Sequence, residues 1–99
     1  MTNILLVCGE GASTSLLAQK MMNEAEAQGI EAKIWAVSQS FISQNAREAD
    51  VVLVGPQLRF QLPVLKTKVD DKPIDVIDMR AYGRMDGAAV LKMALSMLK

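Results

Sequence analysis

Short apolar runs alternate with amphipathic stretches along this chain. Ile4-Leu5-Leu6-Val7 has no polar face, as expected of a strand buried on both sides of a parallel sheet. A loop of small residues follows. Leu17, Ala18, Met21, Met22 and Ala25 then recur at helical spacing, with Gln19, Lys20, Asn23 and Glu24 on the opposite face. Gly29 is a natural stop for that helix. From Glu31 to Val37, Ala32, Ile34 and Ala36 alternate with Lys33, Trp35 and Val37, which predicts a second strand with Trp35 as a packing residue. Ser38 can cap a short helix reaching about Ala46, whose apolar stripe is only Phe41, Ile42 and Ala46.

Val51-Val52-Leu53-Val54 predicts a third strand, ended by Gly55-Pro56. Leu58, Leu62 and Leu65 give Gln57 to Val69 a helical pattern that Pro63 should break. Asp70-Asp71-Lys72-Pro73 is a turn, Ile74 to Ile77 a fourth strand, and Asp78 follows its end. Ala81 to Arg84 reads as a connector. Asp86 is then the N-cap of a last helix starting near Gly87, with Leu91, Ala94, Leu95 and Leu98 as its buried face.

This order predicts an α/β fold: one domain over residues 1–99, with an open four-stranded parallel sheet and helices on both faces. Ligands of such sheets bind beyond the carboxyl ends of the strands, where the strand order reverses. Cys8 stands at one such end. Val54-Gly55-Pro56-Gln57 and Ile77-Asp78 stand at others and should surround the thiol.

The candidate chemistry lies in the loop Cys8-Gly9-Glu10-Gly11-Ala12-Ser13-Thr14-Ser15. A helix N-terminus offers unpaired N–H groups and a partial positive charge. Gly9 and Gly11 let the backbone curl so that several N–H groups converge on one anion, and Ser13, Thr14 and Ser15 add hydroxyl donors. Thiols placed before a helix lose their proton more easily, and the thiolate is the nucleophile. The loop is therefore a phosphatase-like phosphate loop with Cys8 as nucleophile. The bland alternative is a strand-end cysteine that merely packs.

Composition narrows the chemistry. Eleven basic residues balance eleven acidic ones, so no net field favours nucleic acid or an acidic membrane surface. The single cysteine excludes an intrachain disulfide, and a working thiolate suits the reducing cytoplasm. No secretory signal or membrane-spanning run is visible, so direct membrane insertion is not expected. The chain has no histidine, which excludes a Ser-His-Asp triad, a Cys-His pair, a phosphohistidine on this chain and the usual zinc sites.

Two other functions compete. A low-molecular-weight phosphatase uses a similar strand, loop and helix, but needs an arginine six residues after its cysteine to clamp the phosphate; here that residue is Thr14. It also needs a general acid, for which no candidate is firmly placed. A non-catalytic, phosphate-sensing regulatory module would not require the nucleophile. An ordinary nucleotide-binding loop is weaker still, because no Gly-Lys-Ser/Thr closes this one.

Three stretches in order resemble the enzyme IIB component of the lactose/cellobiose family of the bacterial phosphoenolpyruvate-dependent sugar phosphotransferase system, cellobiose-like subgroup. They are Val7-Cys8-Gly9-Glu10-Gly11-Ala12-Ser13-Thr14-Ser15-Leu16-Leu17; Asp50 to Gln57 with Leu62-Pro63; and Val76-Ile77-Asp78 with Tyr82-Gly83 and Asp86-Gly87. The resemblance covers essentially the whole chain. It implies that Cys8 accepts a phosphoryl group from a phosphohistidine of enzyme IIA and passes it to a β-glucoside-type sugar bound to membrane enzyme IIC. Gly9, Glu10, Gly11, Ala12, Ser13, Thr14 and Ser15 would hold the phosphate. It further implies a cytoplasmic monomer, transiently at the inner face of the membrane through enzyme IIC, with no cofactor and no metal. Gln57 and Tyr82 are read as loop and packing residues near the site. Glu10 departs from the pattern, since like charges about 4 Å apart repel by roughly 1 kcal/mol in water. Either Glu10 points outward, or a phosphocysteine here transfers its group more readily.

Overall fold

A computed structural model describes residues 1–9 and 12–98, with the side chains of Ala12 and Ser13 left undescribed. Four strands form one sheet: β1 (Thr2–Cys8), β2 (Ala32–Ser38), β3 (Val51–Val54) and β4 (Ile74–Val76). All pairings are parallel and the order is β2-β1-β3-β4. Among the described residues, five α-helices connect or follow them: α1 (Ala12–Ala27), α2 (Ile42–Ala46), α3 (Leu62–Lys66), α4 (Met79–Gly83) and α5 (Gly87–Ser96). Short 3₁₀ turns at Gln39–Phe41 and Pro56–Gln61 lead into α2 and α3. This is the expected single-domain α/β architecture.

The apolar run of β1 supplies both faces of the sheet, because successive side chains point opposite ways. Ile4 and Leu6 join Leu17, Met21, Val90 and Leu91 in a cluster under α1 and α5. Leu5 and Val7 join Ile42, Leu58 and Leu65 in a second cluster under α2 and α3. Each fully buried side chain of this size contributes about 1.5–3 kcal/mol relative to exposure. The central strands β1 and β3 are thus fixed from both sides.

Several predicted boundaries move, each for a local reason. Gln57 to Val69 is not one helix: the 3₁₀ turn gives way to α3 at Leu62, and Pro63 sits in the first turn of α3, where a missing N–H costs nothing. The stretch read as a connector belongs to α4, capped by Asp78, whose carboxylate accepts from the Ala81 N–H. That helix ends with Met85 at a φ of 53°, while the Asp86 N–H reaches back to the Ala81 carbonyl. The same closure ends α1, where Gly29 has a φ of 72° and the Ile30 N–H reaches the Ala25 carbonyl. Glycine announces that motif in a sequence and methionine does not. In α5 the buried residues are Gly87, Val90, Leu91 and Ala94, whereas Leu98 is exposed.

Candidate functional site

The strand order reverses between β1 and β3: the chain goes from β1 to β2 on one side, then returns to β3 and β4 on the other. The carboxyl ends of these two strands flank the crevice where parallel α/β sheets bind ligands. Cys8 is the last residue of β1 and α1 follows it, so the thiol stands between a strand end and a helix start. It is covered, with 4% of its surface exposed, but neither apolar cluster includes it.

The neighbours of Cys8 come from β2 and from the residues that follow β3. Ser38 is its partner in register on β2, and Sγ lies 3.9 Å from the Val37 carbonyl oxygen. That weak contact uses the thiol proton. A thiolate would give it up and turn to N–H donors. The Ser38 hydroxyl lies 3.5 Å from the Gly9 carbonyl and also accepts from the Ser40 N–H at 3.4 Å. It thereby ties the base of the loop after β1 to the turn after β2. From β3, the Gly55 N–H donates to the Val7 carbonyl at 2.8 Å. A Cβ at Gly55 would meet the Gln57 Oε1 at 2.8 Å and the Cys8 Cβ at 3.7 Å. The Gln57 carboxamide therefore folds back into the space beside Cys8 that the missing side chain leaves.

The loop is joined to β4 through α4. Thr14, in the first turn of α1, is fully buried, and its hydroxyl lies 3.3 Å from that of Tyr82 on α4. Ser15 is exposed on the same turn. Glu10 and Gly11, and the side chains of Ala12 and Ser13, lie outside the described residues. The structure thus places Ser38, Gly55 and Gln57, none of them in the loop motif, beside Cys8 and Gly9, and sets Tyr82, also outside the motif, against Thr14. The available signal was positional, since each follows, or in the case of Ser38 ends, a strand.

Among the described residues, no group of three or more His, Cys, Asp or Glu is placed to hold a metal. Among them, too, no helix is long and apolar enough to cross a membrane. The site thus holds a sulfur between the end of β1 and the sixteen-residue helix α1.

Comparison with known proteins agrees with this fold. The chain is 46% identical over 100 residues to the oligo-beta-mannoside-specific EIIB component of Bacillus subtilis (strain 168), covering 99% of this chain and 97% of that one. It is 36% identical over 102 residues to the cellobiose-specific EIIB component of Lactococcus lactis subsp. lactis (strain IL1403), covering 96% and 94%. The solution structure of a cellobiose-specific phosphotransferase IIB component from Borrelia burgdorferi superposes with a TM-score of 0.82 at 40% identity, over 98% of this chain and 91% of the other. Residues 3–93 match the family model of the lactose/cellobiose-specific IIB subunit of the phosphotransferase system, and the chain belongs to that family.

Proposed function

We propose that Cys8 carries a phosphoryl group between two proteins of a sugar phosphotransferase system. The Cys8 thiolate attacks the phosphorus of a phosphohistidine on enzyme IIA; the S–P bond forms as the N–P bond breaks, and the imidazole is released. A hydroxyl of a sugar bound to membrane enzyme IIC then attacks the same phosphorus. The O–P bond forms as the S–P bond breaks, the hydroxyl proton passes to a base or to water, and the thiolate is restored. Residues Gly9 to Ser15 hold the phosphoryl group between the two steps. Two relatives are named for oligo-beta-mannosides and cellobiose and a third for galactose, and the higher identity of the first favours a β-linked saccharide as the class served. In this reading residues 1–99 act as one monomeric phosphocarrier domain in the cytoplasm, meeting the membrane only through enzyme IIC.

The observation that carries the reading is the place of Cys8: the end of β1, the start of α1 and the reversal of strand order coincide at the one sulfhydryl of a IIB-family chain. Thr14 stands where a phosphatase of this loop type needs arginine, and a phosphocarrier gains from that absence because it must keep its phosphoryl group until an acceptor arrives. Mixing the protein with phosphorylated enzyme IIA and mapping the product by mass spectrometry tests the proposal. Phosphate on Cys8 is expected; phosphate on Ser13, Thr14 or Ser15 with Cys8 unmodified overturns it.

A further inference from the structure

We propose that Tyr82 is a positioning residue for phosphoryl transfer at Cys8, acting through the hydroxyl of Thr14; this rests on the reading of Cys8 as the phosphoryl carrier. Thr14 has no exposed surface and is the one fully buried polar side chain among the described residues. It lies in the first turn of α1, six residues after Cys8. Its hydroxyl meets the Tyr82 hydroxyl at 3.3 Å across 68 residues of sequence, and Tyr82 is itself buried in the cluster under α1.

Stability alone gives little reason for two hydroxyls at this place. The surroundings are apolar: Leu17, Ala18, Met21 and Leu91 belong to the same cluster as Tyr82. Valine and phenylalanine have nearly the same shapes as threonine and tyrosine, and replacing both partners of a buried hydrogen bond by apolar groups is close to neutral. The pair does have a consequence for the site. Each hydroxyl carries one proton and can also accept, and only one proton lies between the two. When Tyr82 donates, the Thr14 proton is left for a second acceptor. A phosphoryl dianion on Cys8 favours that arrangement, because hydrogen bonds to charged groups are stronger and a buried chain of them is polarised along its length. The same bond anchors the first turn of α1, whose N–H groups are the remaining donors. Tyr82 thus links the end of β4, through α4, to the geometry of the loop after β1.

The experiment compares wild type, Tyr82→Phe, Thr14→Val, Thr14→Ser and the Tyr82→Phe/Thr14→Val double variant. The rate of phosphoryl transfer from phosphorylated enzyme IIA is read at a temperature where melting curves show each variant folded, together with the ³¹P chemical shift of the phosphoprotein. Tyr82→Phe is expected to slow transfer by about tenfold, the effect of one hydrogen bond to a charged group, and to move the ³¹P resonance. Thr14→Ser, which keeps a hydroxyl, should transfer faster than Thr14→Val. The double variant should be no slower than the slower single one, since both residues act through one interaction. Wild-type rate and an unmoved resonance in Tyr82→Phe overturn the proposal, as does strict additivity in the double variant. Those results would leave the role of Cys8 standing, provided wild type is labelled there; a wild type not labelled on Cys8 overturns both.

Discussion

Gly55 and Cys8 meet at the ends of β3 and β1, where a Cβ on Gly55 would sit 3.7 Å from the Cys8 Cβ. The same Cβ would lie 2.8 Å from the Gln57 carboxamide oxygen, closer than such atoms approach. The missing side chain lets Gln57 fold back beside the thiol. Gly55→Ala should therefore push an exposed, flexible side chain aside without breaking the fold. The expected change in stability is about 1 kcal/mol or less. The rate of Cys8 phosphorylation should fall by about tenfold, since small displacements at a reacting centre are costly. Parallel measurements of denaturation midpoint and transfer rate check both halves of this expectation.

Gly87 makes a different kind of close approach. A Cβ there would lie 2.7 Å and 2.8 Å from the backbone carbonyl carbon and oxygen of Lys20, and 2.9 Å from the Met21 nitrogen. These are backbone atoms of α1, so no rotamer change relieves the contact. Gly87→Ala should force α5 away from α1 and destabilise the protein by about 1–3 kcal/mol, the usual range for overpacking. Urea denaturation reads the loss. Molecules that remain folded should still be phosphorylated on Cys8, because the contact lies away from the strand ends.

Asp86 caps α5 through its carboxylate, which accepts from the Ala89 N–H at 3.1 Å. Asp86→Ala should cost about 1 kcal/mol and Asp86→Asn distinctly less, because asparagine also caps well. A loss from Asp86→Asn as large as that from Asp86→Ala would show that charge, not the hydrogen bond, is the source.

Phe60 is 81% exposed, with the Arg59 guanidinium stacked 4.5 Å from its ring centroid. It packs in neither apolar cluster. Phe60→Ser should shift stability by no more than about 0.5 kcal/mol. A larger loss in thermal or chemical unfolding would mean that the ring is structural.

The legible parts of the fold were those where one physical signal dominates. The runs Ile4 to Val7 and Val51 to Val54 are uniformly apolar because both faces of those strands are covered, and they became the fully buried centre of the sheet. Gly29 marked a helix end because only glycine adopts a positive φ without strain. What failed was short or unmarked. The five residues of α4 give no helical period, and Met85 takes the left-handed position that a sequence reader assigns to glycine. Phe41 has the hydrophobicity of a core residue yet is 53% exposed: it ends the 3₁₀ turn before α2, and the chain there buries Ile42 and Ala46 instead.

The site divides along the same line. Cys8 and the small residues after it are contiguous, so a chemistry could be proposed for them from the order of residues alone, and the alternation of strand and helix likewise gave the parallel sheet. Ser38, Gly55 and Tyr82 are separated from Cys8 by 30 to 74 positions. Only the order β2-β1-β3-β4 decides that β2 and β3 end beside it, and only packing decides that a threonine in α1 buries its hydroxyl against a tyrosine in α4. Local preference and hydrophobic period act over a few residues. The meeting of distant side chains depends on how the whole set of elements excludes water, which no single stretch of the chain encodes.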